Sequence, residues 1–174
     1  MSAHPVPWSW LSSWKCIACG DCCRNYTPIL TVAEGTKFMR TFGEVVGSCI
    51  RGFYIKKSIT GRCLFQYAFS NMWLCGIQDM KPSACKLWPF KVYRSPKYGK
   101  ADESIYSYMN KDYYVYVDTE CRGIAYGKPS VEFMAKTVPE FIEISLGGRV
   151  SQCYSTNFGV SRTSKANHPV ITIH

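Results

Sequence analysis

Four cysteines fall within eight residues, Cys16-Ile17-Ala18-Cys19-Gly20-Asp21-Cys22-Cys23. A C-x-x-C step suits chelation, because the short loop turns and aims both sulfurs at one metal centre. Gly20 follows the first step and permits a left-handed turn that other residues resist. Two overlapping steps are improbable by chance. The adjacent pair Cys22-Cys23 adds a further point. Neighbouring side chains in extended or turn backbone point apart, so one metal seldom takes both. The economical reading gives them to two different centres lying close together. Two four-coordinate sites need eight thiolates, and the cluster supplies four.

Six more cysteines follow. Cys63 sits in Gly61-Arg62-Cys63, Cys75 in Leu74-Cys75-Gly76, Cys85 in Lys81-Pro82-Ser83-Ala84-Cys85, and Cys121 in Cys121-Arg122-Gly123. Each lies close to Gly, Pro or Arg, as a loop wrapped around a metal should. The candidate ligands are therefore Cys16, Cys19, Cys22, Cys23, Cys63, Cys75, Cys85 and Cys121. Cys49 and Cys153 lack partners at short spacing and read as small buried apolar residues.

The combination Cys16-x-x-Cys19-Gly20-x-Cys22-Cys23-Arg24, Gly61-x-Cys63, Cys75-x-Ile77, Lys81-Pro82-x-x-Cys85-Lys86-x-Trp88-Pro89-Phe90 and Cys121-x-Gly123-Ile124-x-x-Gly127 resembles the CxxCxxCC family. These are YkgJ-like cysteine-cluster proteins, described as zinc- or iron-chelating. The resemblance runs from about Trp14 to Gly127 and fills all eight cysteine positions of the family. It implies a metal-binding role for those eight. Lys81 and Lys86 stand where the family more often has Arg, which keeps the charge and loses the planar fork. Flagellin lysine N-methylases are similar in the same cysteine pattern, so an enzyme of methyltransferase type is one implication of the resemblance.

The spacing also bears on the metal. Zinc sites usually read as two distant C-x-x-C knuckles. Here only the first half has close pairs, and three closely spaced cysteines with distant partners suit a cubane better. Two 4Fe–4S clusters are therefore expected, with two zinc ions as the alternative and disulfides third. The bacterial ferredoxin spacing and the C-x-x-x-C-x-x-C triplet are both absent. A 4Fe–4S core at 2+ with four thiolates carries about −2, and the formal net charge of +9 offsets two of them. Arg24, Arg62, Lys81, Lys86 and Arg122 lie near candidate ligands and are the expected local counter-charges.

Several function classes drop out. The three histidines, His4, His168 and His174, all lie near the termini, so Ser-His-Asp or Cys-His catalysis has no central base. No dense Lys/Arg run or RNA module accompanies the basic charge, which leaves nucleic-acid binding weakly supported. No apolar run approaches the ~20 residues that span a bilayer, and the first residues lack the basic and apolar regions of a secretory signal. A cytoplasmic protein with no membrane contact is expected, working with an unidentified redox or protein partner. A methyltransferase would need a nucleotide loop after a strand, and the only glycine pair, Gly147-Gly148, follows a helical stretch.

The elements that must position the cysteines read as follows. Residues 1–15 form an arm packed through Trp8, Trp10 and Trp14. Thr31-Val32-Ala33-Glu34 is a capping box opening a helix to about Arg40. Residues 53–59 and 63–69 read as a hairpin around Thr60-Gly61, and 105–109 with 113–118 as a second. Lys91–Tyr93 is a short strand. Ser130 caps a helix from Val131 to about Leu146, kinked at Pro139 and stopped by Gly147-Gly148. The tyrosines of the second hairpin alternate as strand residues do. The expected architecture is α+β, a small single domain with short antiparallel hairpins, a few helices and metal-organised loops. It spans residues 1–150, with an irregular tail over 151–174.

Overall fold

The computed structural model describes residues 4–152. Along the chain, β1 (Val6–Pro7) and β2 (Leu11–Trp14) flank a 3-10 turn. Then come α1 (Asp21–Asn25), β3 (Ile29–Leu30), α2 (Val32–Phe42), β4 (Val46–Cys49) and β5 (Gly52–Ile55). Next are β6 (Gln66–Phe69), β7 (Met72–Cys75), α3 (Ser83–Leu87), β8 (Phe90–Tyr93), α4 (Ala101–Ser104), β9 (Ile105–Tyr108), β10 (Lys111–Val117) and β11 (Ile124–Tyr126). A π-helical turn, Phe133–Thr137, leads into α5 (Val138–Ser145). The fold is α+β, with every sheet antiparallel.

Two hydrophobic cores divide the work. The larger surrounds β10, which pairs with β1, β8 and β9. Val115 and Val117 point from β10 onto Phe90, Phe141 and Ile142, with Trp14 and Leu11 closing the side. Phe90 and Phe141 stack with centroids 3.8 Å apart, and Trp14 meets both rings edge-on. The opposite face of β10 is covered as well. Fully buried Tyr116 donates to the Gly99 carbonyl and accepts from Ser104 Oγ, which satisfies its hydroxyl. The smaller core holds Leu30, Phe38, Val46 and Ile55 between α2 and the β3-β5-β4 sheet.

The capping box forms as expected, and α2 runs two residues past Arg40. The second hairpin forms as β9 and β10, with the left-handed turn at Met109 and Asn110. Ser130 Oγ accepts from Phe133 N, and Gly147 at φ +74 ends α5. Pro139 lies inside a helical run that is continuous from Val131, and the path widens to π over Phe133–Thr137 just before it, which accommodates the proline ring and its missing N–H.

Other expectations are corrected. The first hairpin does not form: 53–59 and 63–69 meet only in one bridge, Lys57 with Cys63. β5 pairs instead with β3 and β4, and β6 with β7. Residues 6–14 pack through Trp8 and Trp14 as expected of the arm, but they also form strands, because Val6 pairs with Val117 and Trp14 with Ile124. Cys49 is exposed at the β4–β5 turn instead of buried. Cys153 and the expected tail from 153 onward lie outside the described residues.

Candidate metal centre

The two cores face each other across a cavity of about 90 Å³. All eight candidate cysteines line it: Cys16, Cys19, Cys22, Cys23, Cys63, Cys75, Cys85 and Cys121. Each is partly buried, and all nine described cysteines are free thiols. Cys16 and Cys121 also pack against the large core, and Cys63 against the small one.

Backbone demands place the first four. β2 delivers the chain at Trp14, and Lys15 N donates to the Gly123 carbonyl at 3.0 Å. A Cβ on Gly123 would collide with the Lys15 carbonyl, so only glycine lets Cys121 approach the first loop. Ala18 (φ +52) and Gly20 (φ +78) turn left-handed on either side of Cys19. The β6–β7 hairpin then grips this loop. Trp73 N donates to the Ala18 carbonyl at 2.8 Å and Gln66 Nε2 to the Gly20 carbonyl at 3.0 Å. A Cβ on Gly20 would lie 2.6 Å from Trp73 Cβ. Gly20 thus answers two demands, its dihedral and its closeness to the hairpin.

The others arrive on separate elements. Cys63 N donates to the Cys23 carbonyl at 2.9 Å, joining the two stretches before β6 begins. Cys75 ends β7, and Cys85 rides on α3, which packs against both α5 and β3. Arg122 Nε and Asp21 Oδ2 form an ion pair at 2.6 Å, which ties the Cys121 loop over the first cluster. That pair holds the Asp21 carboxyl below its ordinary range.

Cys22 and Cys23 lie on α1, not on extended backbone, and their sulfurs are 3.9 Å apart. The premise that they point apart is corrected, yet their surroundings still differ. Cys23 feels Cys22, Cys63 and Cys75, Cys63 feels Cys75 and Cys22, and Cys85 feels Cys75, Cys63 and Cys22. Cys121 feels Cys19 and Cys16, and Cys16 feels Cys22 and Cys19. The S–H···S contact eases the first deprotonation of the pair, with Cys22 down to about 7, and opposes the second, so Cys23 is pushed well up. Burial raises Cys16, Cys63, Cys85 and Cys121.

Donors already point at some sulfurs. Trp14 Nε1–H donates to Cys121 Sγ at 3.2 Å. Of the five expected counter-charges, Lys81 alone is among the lining residues, and it lowers Cys16, Cys22 and Cys85. Arg62 spends its guanidinium on the Trp73 ring, 3.8 Å away, and on Gln66 Oε1. The donor set of eight thiols, with one cation and an indole N–H, fits thiophilic metal. The sulfurs surround a space rather than a point: among the described residues, no three His, Cys, Asp or Glu side chains stand close enough for one bare ion. Sequence reasoning missed Trp14, Gln66 and Trp73 as supports, since nothing local marks an indole for a sulfur 107 residues away.

The chain belongs to the CxxCxxCC family, whose model, described as a putative zinc- or iron-chelating domain, matches residues 15–122. The matched span opens one residue before Cys16 and closes one after Cys121. No curated protein and no solved structure matches the chain. Among the described residues, no helix is long and apolar enough to cross a membrane.

Proposed function

We propose that the chain holds two 4Fe–4S clusters and passes electrons to a redox partner. Cys16, Cys19, Cys22 and Cys121 would hold one, and Cys23, Cys63, Cys75 and Cys85 the other. The observation that carries this reading is the meeting of all eight thiols around one cavity. Cys121 goes with Cys16 and Cys19, and Cys23, Cys63, Cys75 and Cys85 go together, by the neighbours each sulfur feels. Cys22 is felt on both sides and joins the first four by its C-x-x-C spacing from Cys19. A core of several metal atoms spans such a space better than a single ion does.

Bound clusters supply one-electron chemistry at potentials set by charge, hydrogen bonds to sulfur and exposure. The protein's part is to orient and tune. Trp14 places an N–H on Cys121 Sγ, and Lys81 sets a positive charge toward thiols of both groups. Both favour the more negative, reduced state. Trp73, Trp88 and Ile77 line the cavity and limit its solvent.

The family description keeps zinc as the second reading. Two zinc ions would make this a structural or interaction module. A methylase-type enzyme gains no support: Gly147 and Gly148 close α5 by donating to Ile144 and Glu143 carbonyls, a helix stop rather than a nucleotide loop. Iron, sulfide and zinc are to be measured on anaerobically purified protein, with an ultraviolet–visible spectrum. About eight irons and eight sulfides per chain are expected for two cubanes. Two zincs with no visible absorption would replace this reading with the structural one.

A further inference from the structure

We infer that Glu34 is the positioning residue for Cys85, because its one carboxylate caps α2 and α3 together. Oε2 accepts from Thr31 N at 2.9 Å and from Thr31 Oγ1 at 3.1 Å, completing the capping box of α2. Oε1 reaches across 49 residues of sequence and accepts from Ser83 N at 2.7 Å. Ser83 is the first residue of α3, and Cys85 follows two residues later.

α3 has only five residues, and its own N-cap, Pro82, offers no side-chain acceptor. A helix this short does not hold its orientation unaided, and its first N–H groups need partners from elsewhere. Glu34 supplies one from α2, which is itself fixed on β4 and β5. Burial raises the Glu34 carboxyl, but the Ser83 and Thr31 donors outweigh that and hold it low, so it serves as a charged acceptor. Loss of this bond frees α3 to pivot on its remaining contacts, and Cys85 Sγ moves with it. The capping-box motif therefore does more than start a helix: it sets the place of a candidate ligand on another. The link to metal rests on Cys85 being a ligand as proposed above, whereas the placement of its sulfur does not.

The test uses three variants of the full chain. Glu34→Ala removes the Ser83 bond and the carboxylate half of the α2 capping box, and leaves Thr31 Oγ1 accepting from the backbone N–H of residue 34. Ser83→Pro removes only the donor on α3. Proline is favoured at a first helical position, and Pro82 already has the extended conformation (φ −58, ψ 151) that a residue before proline takes. Thr31→Val weakens the α2 cap and leaves the Ser83 bond in place. Alkylation of each cysteine by iodoacetamide is followed by mass spectrometry, and metal release to excess chelator is followed in parallel.

Cys85 should alkylate about tenfold faster in Glu34→Ala and Ser83→Pro, the worth of one charge-assisted bond, and less than twofold faster in Thr31→Val. About half of the metal should leave faster in the first two variants. An unchanged Cys85 rate overturns the proposal. So does a uniform rise at all cysteines in all three variants, since that is general loosening through α2. If the parent holds no metal while Cys85 responds as expected, Glu34 keeps its role and the reading under Proposed function falls instead.

Discussion

The two cores that flank the cavity are unequal foundations for the cysteines between them. The side built on β10 and α5 buries ten residues in its core, with stacked aromatics and a strand paired along both edges. The side built on α2 and the β3-β5-β4 sheet buries four. Apolar burial is the main favourable term in folding, so the first side can hold its thiols in place without metal. The second cannot do so to the same degree. The β6–β7 hairpin sharpens the contrast: it has two strands, and Tyr67 and Phe69 lie exposed. Two-stranded hairpins are marginal alone, and this one is anchored where it grips the Ala18–Gly20 loop and where Cys63 and Cys75 meet the cavity. With two centres as proposed, one would be an addition to a fold and the other part of folding.

The largest expected effect follows from metal removal. Hydrogen exchange should fall by a factor of roughly 100 or more in protection across residues 46–87, as metal–thiolate bonds cease to offset chain entropy. Residues 111–117 and 138–145 should stay protected. Residues 90–117 belong to the stable side, because β8, β9 and β10 form the large core's sheet. Equal protection on both sides in the metal-free chain would erase the comparison.

The second effect separates the sides by single ligands. Cys121→Ser and Cys85→Ser should each lower the metal content by about half, one centre's share. Their stabilities should differ. Cys121→Ser leaves the Trp14, Phe90 and Phe141 packing intact, while Cys85→Ser loosens α3, which bridges α5 and β3, and through β3 the small core. Thermal unfolding should show the larger loss for Cys85→Ser by at least ~2 kcal/mol. The reverse order would mean that the large core depends on its metal more than the small one does.

These contrasts also explain what could be read from the sequence. Short-range signals carried through. The overlapping C-x-x-C steps, the Thr31–Glu34 box and the Ile105–Val117 hairpin are each completed within about a dozen residues, where local geometry decides the outcome. Long-range pairings left no such trace. Val6 with Val117 and Trp14 with Ile124 give strands whose partners lie more than a hundred residues away, so residues 6–14 read as an arm. The apolar run of residues 53–55 is a genuine strand, but periodicity names no partner, and the nearest run was the wrong one. At the site, residue type and spacing marked all eight lining cysteines, while the supports come from tertiary placement. Cys22 and Cys23 misled in a different way: a helix, not a turn, carries them, and adjacent side chains there diverge less.

A third, smaller effect tests the grip between the sides. Gly20→Ala meets the Trp73 side chain at φ +78, whereas Gly61→Ala at φ +75 meets nothing within 4 Å. Dihedral strain is common to both and costs about 1–2 kcal/mol. Overpacking is confined to Gly20 and adds about 1–3 kcal/mol. Gly20→Ala should therefore be the less stable of the two in denaturant unfolding, and it should lose metal from both groups, because Cys19 and Cys22 flank the residue and the displaced β6–β7 hairpin carries Cys75. Equal stabilities would show that the hairpin yields easily and that the two sides are joined by metal alone.

The smallest effect belongs to Cys49, the one described cysteine that does not line the cavity. It sits on β4 opposite Gly52, beside the fully exposed Ile50, on the weaker side of the molecule. Were it the small buried residue its lone spacing suggested, Cys49→Ser would leave a hydroxyl unsatisfied and cost about 1–3 kcal/mol. Exposure changes that expectation, since water satisfies the hydroxyl and no packing is lost. Cys49→Ser should shift stability by less than about 0.5 kcal/mol, as surface substitutions do, and leave metal content unchanged. Cys49 should also be the fastest of the described cysteines to alkylate in the metal-loaded protein, because it is exposed and the other eight are half-buried. Loss of a centre on Cys49→Ser would move one ligand of the weaker side out to the β4–β5 turn and break the division of four and four.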